Sequence, residues 1–302
     1  MRVLGKRADG YHEVTTILQT ISLKDELKFE RTNDGIIHLT CNDRNIPTDD
    51  RNLVIRAASA LRRQYHVTSG ARIHLEKRIP TQAGLGGGSS NAAIALVALV
   101  RLWAIRPAKA DLLEIATSLG ADVPFFLYGG CGRGTGTGAT IHPFESREKG
   151  LLNNLVVITP NASVSTATAY GSLNLPSLTT PGVEPILSSS QNVANSGSLH
   201  PCSTANLSLD DLQNDFEAVI FDIEPEIRRA KDTLSDAGAL GVLLAGSGSS
   251  VFGIFADKED QQRAIKMIDA RNGWRIFPCV TLSRDEYRHE IGRELFHFFE
   301  QG

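Results

Sequence analysis

No charge of either sign dominates this chain: 31 Lys and Arg stand against 34 Asp and Glu, a formal net charge of −3. A surface dedicated to nucleic acid is usually basic, so that class of partner is disfavoured, and a small anionic ligand needs only a local basic patch. Cysteine is scarce. Cys41, Cys131, Cys202 and Cys279 lie far apart with no Cys-x-x-Cys pair, which disfavours a zinc site or a disulfide scaffold and fits a reducing compartment. No apolar run reaches membrane-spanning length, and Met1-Arg2-Val3-Leu4-Gly5-Lys6-Arg7 lacks a signal peptide's apolar core, so a cytoplasmic protein is expected. What is present is ordinary globular composition, 41% apolar and 22% charged over 302 residues, long enough for two domains.

The distinctive stretch is Pro80-Thr81-Gln82-Ala83-Gly84-Leu85-Gly86-Gly87-Gly88-Ser89-Ser90-Asn91. It joins a strand-like run (71–79) to an apolar helical run (92–103). Four glycines let backbone N–H groups approach a ligand closely, and Ser89, Ser90 and Asn91 are good helix caps. A glycine loop feeding a helix N-terminus favours an anion, since unpaired donors and the helix dipole act together. Phosphate is the natural guest. The plain alternative is a glycine-rich turn between two elements. Two nucleotide signatures are absent: no lysine follows the glycines as in a P-loop, and they do not follow the first strand as in a dinucleotide-binding fold.

Elsewhere the pattern predicts a turn at 6–13, strands over 14–21, 25–30 and 35–41 in an antiparallel set, and a helix from Leu53 to Tyr65. Asn52 suits that helix's cap. A helix over 109–119 is followed by Gly120-Ala121-Asp122-Val123-Pro124, where Asp122 falls at a helix junction and could cap the second helix while still facing a ligand. The glycine-rich 129–138 reads as a hairpin or bulge. Residues 155–160 read as a buried strand and 163–170 as a polar stretch. Residues 176–206, rich in Pro, Ser, Thr, Asn and Gly, read as a flexible insertion. The last third alternates helices (208–220, 225–237, 258–270) with strands (241–244, 251–255, 274–281), with a second glycine-serine loop at 245–250. Helices on one face of a mostly antiparallel sheet give an α+β layer.

Several of these stretches resemble motifs of the GHMP kinases, in order along nearly the whole chain: Arg7-Ala8-Asp9-Gly10-Tyr11-His12, Asn52-Leu53, Lys77, the Pro80–Ser90 loop, Gly120–Pro124, Asn214-Asp215-Phe216-Glu217 and Gly246-Ser247-Gly248. The first is similar to the branch that phosphorylates the 2-hydroxyl of 4-diphosphocytidyl-2-C-methyl-D-erythritol. The resemblance implies an α+β, two-domain GHMP kinase fold. An ATP-binding N-terminal domain, with a mixed or antiparallel sheet and helices, would span 1–150, and a ferredoxin-like C-terminal layer 151–302. It implies a kinase using ATP and Mg²⁺ on a small-molecule partner, with neither nucleic acid nor membrane. Pro80, Thr81, Gln82, Ala83, Gly84, Leu85, Gly86, Gly87, Gly88, Ser89 and Ser90 would hold ATP, with Asn52 near the adenine and Lys77 close by. Tyr11 would stack on cytosine and His12 hydrogen-bond it. Gly246, Ser247 and Gly248 would support the substrate, and Asp122 would be catalytic. The metal ligands are unassigned.

One departure stands out. The family's opening Pro-Ala-Lys-(Ile/Leu)-Asn-Leu strand precedes the Arg-x-Asp-Gly-Tyr-His motif, whereas these residues open at Met1, past that point. Its lysine, which the resemblance would pair with Asp122, is not among them, and unpaired backbone groups are expected on the neighbouring strand. The rival readings are therefore a nucleotide-binding protein of this fold without turnover and another small-molecule GHMP kinase.

Overall fold

The computed structural model describes residues 1–144, 153–173, 209, 212–268 and 273–296. The expected insertion at 176–206, the boundary at 150 and Cys202 lie outside them. In the N-terminal half, β1 (Arg2–Lys6), β2 (His12–Gln19), β6 (Cys131–Thr135) and β7 (Thr140–Pro143) form an antiparallel sheet in the order β1-β2-β6-β7. The 129–138 stretch is the hairpin expected, turning where Gly136 and Gly138 take positive φ of 69° and 96°. The edge expected to be bare is partly met: β1 pairs with β2 from Arg2↔Thr15 to Lys6↔His12.

A second sheet has the order β3-β5-β4, from β3 (Glu26–Thr32), β4 (Ile37–Cys41) and β5 (Gly70–Glu76). The single antiparallel set expected of 14–21, 25–30 and 35–41 does not form: β2 belongs to the first sheet, β3 and β4 are separated by β5, and β4 runs parallel to β5. The cause is α1 (Leu53–Tyr65), the crossover that returns the chain to the same end of the sheet. Ala71, Ile73 and Leu75 of β5 are buried and Arg72 is exposed, so alternate residues feed one core. Above that face pack α1, α2 (Gly87–Leu102), α3 (Lys109–Leu119) and α4 (Val123–Tyr128). Ala57 and Ala58 of α1, with Ala92, Ala93 and Ala95 of α2, are fully buried small residues in that shared core.

The C-terminal half runs β8 (Asn154–Thr159), α5 (Thr166–Gly171), α6 (Glu217–Ile223), α7 (Pro225–Asp236), β9 (Gly241–Leu244), β10 (Val251–Phe255), α8 (Lys258–Ile268), β11 (Arg275–Cys279) and α9 (Arg284–Ile291). The sheet is antiparallel in the order β11-β8-β10-β9. A β-α-β-β-α-β course with that order is the ferredoxin-like arrangement. β8 is buried on both faces. Val156 and Ile158 join the core with Ile220, Ile227, Leu234 and Ala264 of the helices, while Leu155 and Val157 face a smaller cluster with Ile254.

In the C-terminal half three elements differ from expectation. The helix expected at 208–220 is α6, beginning only at Glu217, because Asn214 and Asp215 bond to other segments instead. α5 stands where a polar stretch was expected, capped by Ser165, whose side chain accepts from the Thr168 N–H. α9 was not anticipated, although Ser283 and Glu286 form a capping box at its start. The two halves also share cores: Val3 and Val14 belong to the C-terminal cluster, and Tyr287 and Phe296 to the N-terminal one. No helix among the described residues is long and apolar enough to cross a membrane.

Candidate active site

The glycine loop passes into α2 at Gly87, earlier than expected. Gly86 is the N-cap, in the left-handed region at φ 65°, and no side chain caps the helix. Ser89, Ser90 and Asn91 therefore lie inside its first turns rather than at its cap, and the Ser90 hydroxyl donates to the Gly87 carbonyl at 3.0 Å. A glycine cap supplies the turn without a side-chain oxygen, so the first-turn N–H groups stay available to an anion. Close packing also demands these glycines. A Cβ on Gly84 would lie 1.9 Å from the Ala245 carbonyl oxygen, and one on Gly86 would lie 3.0 Å from the Phe126 ring.

The second glycine-serine loop backs the first. The Ser250 N–H donates to the Ala83 carbonyl at 3.1 Å, and a Cβ on Gly246 would lie 3.2 Å from the Gly84 carbonyl oxygen. Asn214 holds this loop through its amide, which donates to Leu244 O at 2.9 Å and Gly246 O at 2.7 Å. Ser247 is half-buried, with its hydroxyl 3.4 Å from that of Thr166. Thus Gly246, Ser247 and Gly248 stand beside the first glycine loop.

Lys77 is turned behind the loop rather than toward its open face. Its side chain is 6% exposed and pairs at 2.8 Å with Asp25, which is 1% exposed. Asp25 was not among the expected site residues, because it reads only as the start of a strand. Asn52 is likewise spent on structure: its Oδ1 accepts from the Val54 N–H at 2.9 Å, and its amide donates to Pro47 O at 2.7 Å. The capping role is the one the structure gives it.

Asp122 occupies the N-cap position of α4 without making a capping bond. Among the described residues its carboxylate has no hydrogen-bond or ion-pair partner. One face stays open to solvent, but the protein packed around the rest desolvates the carboxyl and raises its pKa above the usual carboxylate range. One helical turn on, Phe126 reaches the Gly86 position of the loop, and residues i and i+4 share a helix face. The far end of α4 is pinned by the buried Tyr287, whose hydroxyl donates to Phe126 O at 2.8 Å.

On its other flank the Asp122 carboxylate lies within electrostatic reach of Tyr170 of α5. Burial, with the Asp122 carboxylate adding to it, pushes the Tyr170 phenol up to about 12. The Tyr170 ring stacks on His12 at 4.6 Å between centroids, 23° from parallel, and meets Phe216 edge-on at 4.8 Å. Burial and nearby Lys6 lower the His12 pKa, favouring a neutral imidazole able both to donate and to accept. Tyr11 beside it is 66% exposed, an aromatic face presented to solvent. Asp9 shapes this turn by accepting from the Tyr11 N–H at 3.1 Å and pairing with Arg7. Tyr170 escaped sequence reasoning because α5 itself was unread, though Ser165 before Thr166-Ala167-Thr168 is a legible cap. Asp122 therefore opens the helix that touches the glycine loop through Phe126, and it faces a cluster of aromatic and imidazole rings electrostatically.

Residues 52–130 match the family described as GHMP kinases N terminal domain, and residues 199–273 match GHMP kinases C terminal. The chain is 39% identical over 285 residues to a 4-diphosphocytidyl-2-C-methyl-D-erythritol kinase of Prosthecochloris aestuarii, covering 92% of each chain. It is 40% identical over 262 residues to the protein of the same name from Pelotomaculum thermopropionicum, covering 86% of this chain and 87% of that one. Among solved structures it is similar to a 4-(cytidine 5'-diphospho)-2C-methyl-D-erythritol kinase, at 31% identity and a TM-score of 0.68, covering 92% of this chain and 94% of the other. A mevalonate kinase shares the fold at 14% identity and a TM-score of 0.61, covering 91% of this chain and 94% of the other.

Proposed function

Because the chain belongs to the GHMP kinase family, among its 4-diphosphocytidyl-2-C-methyl-D-erythritol kinases, we propose that it transfers the γ-phosphate of ATP to the 2-hydroxyl of 4-diphosphocytidyl-2-C-methyl-D-erythritol. This would be a step of the non-mevalonate route to isoprenoid precursors, carried out in the cytoplasm. The observation that carries the reading is the place of Asp122, on the helix whose Phe126 touches the glycine loop and within electrostatic reach of the His12–Tyr170 stack.

Phosphoryl transfer asks the protein mainly for positioning and electrostatic stabilisation. The backbone N–H groups of 84–89 and the start of α2 would hold the phosphates. Tyr11, His12 and Tyr170 would take the cytosine end, through ring faces and the imidazole's polar edge. Asp122 would accept the proton of the acceptor hydroxyl as its oxygen bonds to the γ-phosphorus and the bond to the β-phosphate oxygen breaks, releasing ADP. A raised pKa suits this role, since a base closer to working pH both stays ionised and drives proton transfer. Among the described residues no group of three His, Cys, Asp or Glu forms a metal cage. The hard hydroxyl oxygens of Ser89 and Ser90, in the first turns of α2, would suit Mg²⁺ carried in on phosphate. When bound, Mg²⁺ would neutralise the phosphate oxygens.

A substrate panel tests the reading. ADP release is expected with 4-diphosphocytidyl-2-C-methyl-D-erythritol and not with homoserine, mevalonate or methylerythritol phosphate lacking the cytidine. Equal turnover without the cytidine would move the assignment to another GHMP kinase. ATP binding with no turnover on any acceptor would favour a ligand-binding protein of this fold.

A further inference from the structure

Beneath the glycine loop lies a buried polar clamp centred on Asp25, just before β3. Its Oδ1 accepts from the backbone N–H groups of Arg78 at 2.7 Å and Ile79 at 2.8 Å. Its Oδ2 accepts from the Lys77 ammonium and the Asn91 amide, each at 2.8 Å. The Lys77 ammonium also donates to the Ile79 carbonyl. The donors come from both ends of the loop, for residues 77–79 lead into it and Asn91 belongs to the helix that leaves it. The start of α2 rests on the clamp, since a Cβ on Gly87 would lie 2.8 Å from the Ile79 side chain and 3.3 Å from Lys77 Nζ.

A buried ion pair adds little net stability over apolar residues of the same shape, because desolvation offsets the attraction. Its distinctive effect is geometric. Four donors directed at one carboxylate fix the separation of the loop's ends, and so fix its N–H groups before a ligand arrives. Pre-ordered donors bind an anion more tightly because less freedom is lost on binding. We propose that Asp25 is a positioning residue for the nucleotide, acting through Lys77 and Asn91 to hold the 80–90 loop in its anion-binding shape. This rests on the reading of that loop as the ATP-phosphate site.

Asp25→Asn preserves the shape but sets an amide donor against the Lys77 and Asn91 donors. The ATP Kd, measured by calorimetry without acceptor, and the KM for ATP are expected to rise together by about tenfold, the effect of losing one charge-assisted hydrogen bond. The KM for the acceptor and kcat at saturating ATP should change little. Combining Asp25→Asn with Asn91→Asp returns a carboxylate to the same contact and should recover ATP affinity. A lowered melting temperature with unchanged ATP Kd and KM would overturn the proposal and leave Asp25 a purely structural residue. If Asp25→Asn does not fold, Asn91→Ala keeps the ion pair and removes one donor. An approximately threefold weaker ATP Kd is then expected, in line with a lost neutral hydrogen bond, and an unchanged one would overturn the proposal. Because the calorimetry needs no turnover, a wild-type chain that binds ATP but transfers nothing would sink the proposed reaction alone. One that binds no ATP would sink both.

Discussion

Asp122 is an exposed carboxylate that the protein packed around it partly desolvates without a counter-charge, an arrangement that costs stability. The unfolded carboxyl titrates near its ordinary value of 3.8, and folding raises it. Between the two values the native state binds the proton more tightly, so stability falls as pH rises through that window and stays reduced at neutral pH. Asp122→Asn should therefore raise the melting temperature at pH 7, a gain that shrinks as pH is lowered toward the ordinary carboxylate value. The same variant should cut kcat by about 10²–10⁴-fold, the range for loss of a general base. An unchanged melting temperature would remove the desolvation argument, and near-normal kcat would remove the base. The acid limb of the wild-type kcat/KM profile, which reports the free enzyme, should lie above the ordinary carboxylate range, because activity needs the ionised form. A limb at the ordinary position would contradict the raised pKa. Burial pushes the Cys131 thiol up to about 11 and that of Cys279 up to about 12, so thiolate chemistry has no part in this account.

The two glycine loops stand or fall as a pair. Gly84→Ala would drive a methyl into the Ala245 carbonyl, at a residue with φ of +71°, and should destabilise the fold by about 1–3 kcal/mol while weakening ATP binding. Denaturant melts with a nucleotide titration would check both, and wild-type values would refute the close packing. Much of this was readable beforehand. Periodicity placed α1, α3, β9 and β10 at the ends observed, since caps and glycines bound those runs. The loop's passage into a helix was legible from glycine and helix signals. Its support was not, because nothing local marks Asp25 as the partner of Lys77, fifty-two residues later. Asn52 and Lys77 show the converse. Their residue types suit a nucleotide site, but each spends its hydrogen bonds on the fold. α5 was missed because Thr166-Ala167-Thr168-Ala169 carries no apolar period, and with it went Tyr170.

Across the molecule, neither half closes its core alone. β1 and β2 lend Val3 and Val14 to the C-terminal core, and the segment after β11 lends Tyr287 and Phe296 to the N-terminal one. Thr20 ties the same segment down, its hydroxyl donating to Leu282 O at 3.1 Å. Heat unfolding should therefore be one cooperative transition, with near- and far-ultraviolet dichroism superimposed. Two separated steps would mean independent domains. Tyr287→Phe removes the donor to the part-buried Phe126 carbonyl and should cost about 1–3 kcal/mol. The stitching brings Asp122 of one half to Tyr170 of the other, so the account is tested most directly by a single transfer. The chain would be incubated with γ-labelled ATP and 4-diphosphocytidyl-2-C-methyl-D-erythritol, beside the same acceptor lacking its 2-hydroxyl, with wild-type protein and Asp122→Asn. Label should appear on the complete acceptor with wild-type protein and fall by about 10²–10⁴-fold in the variant. Label on the deoxy acceptor, or equal transfer by Asp122→Asn, would contradict the account.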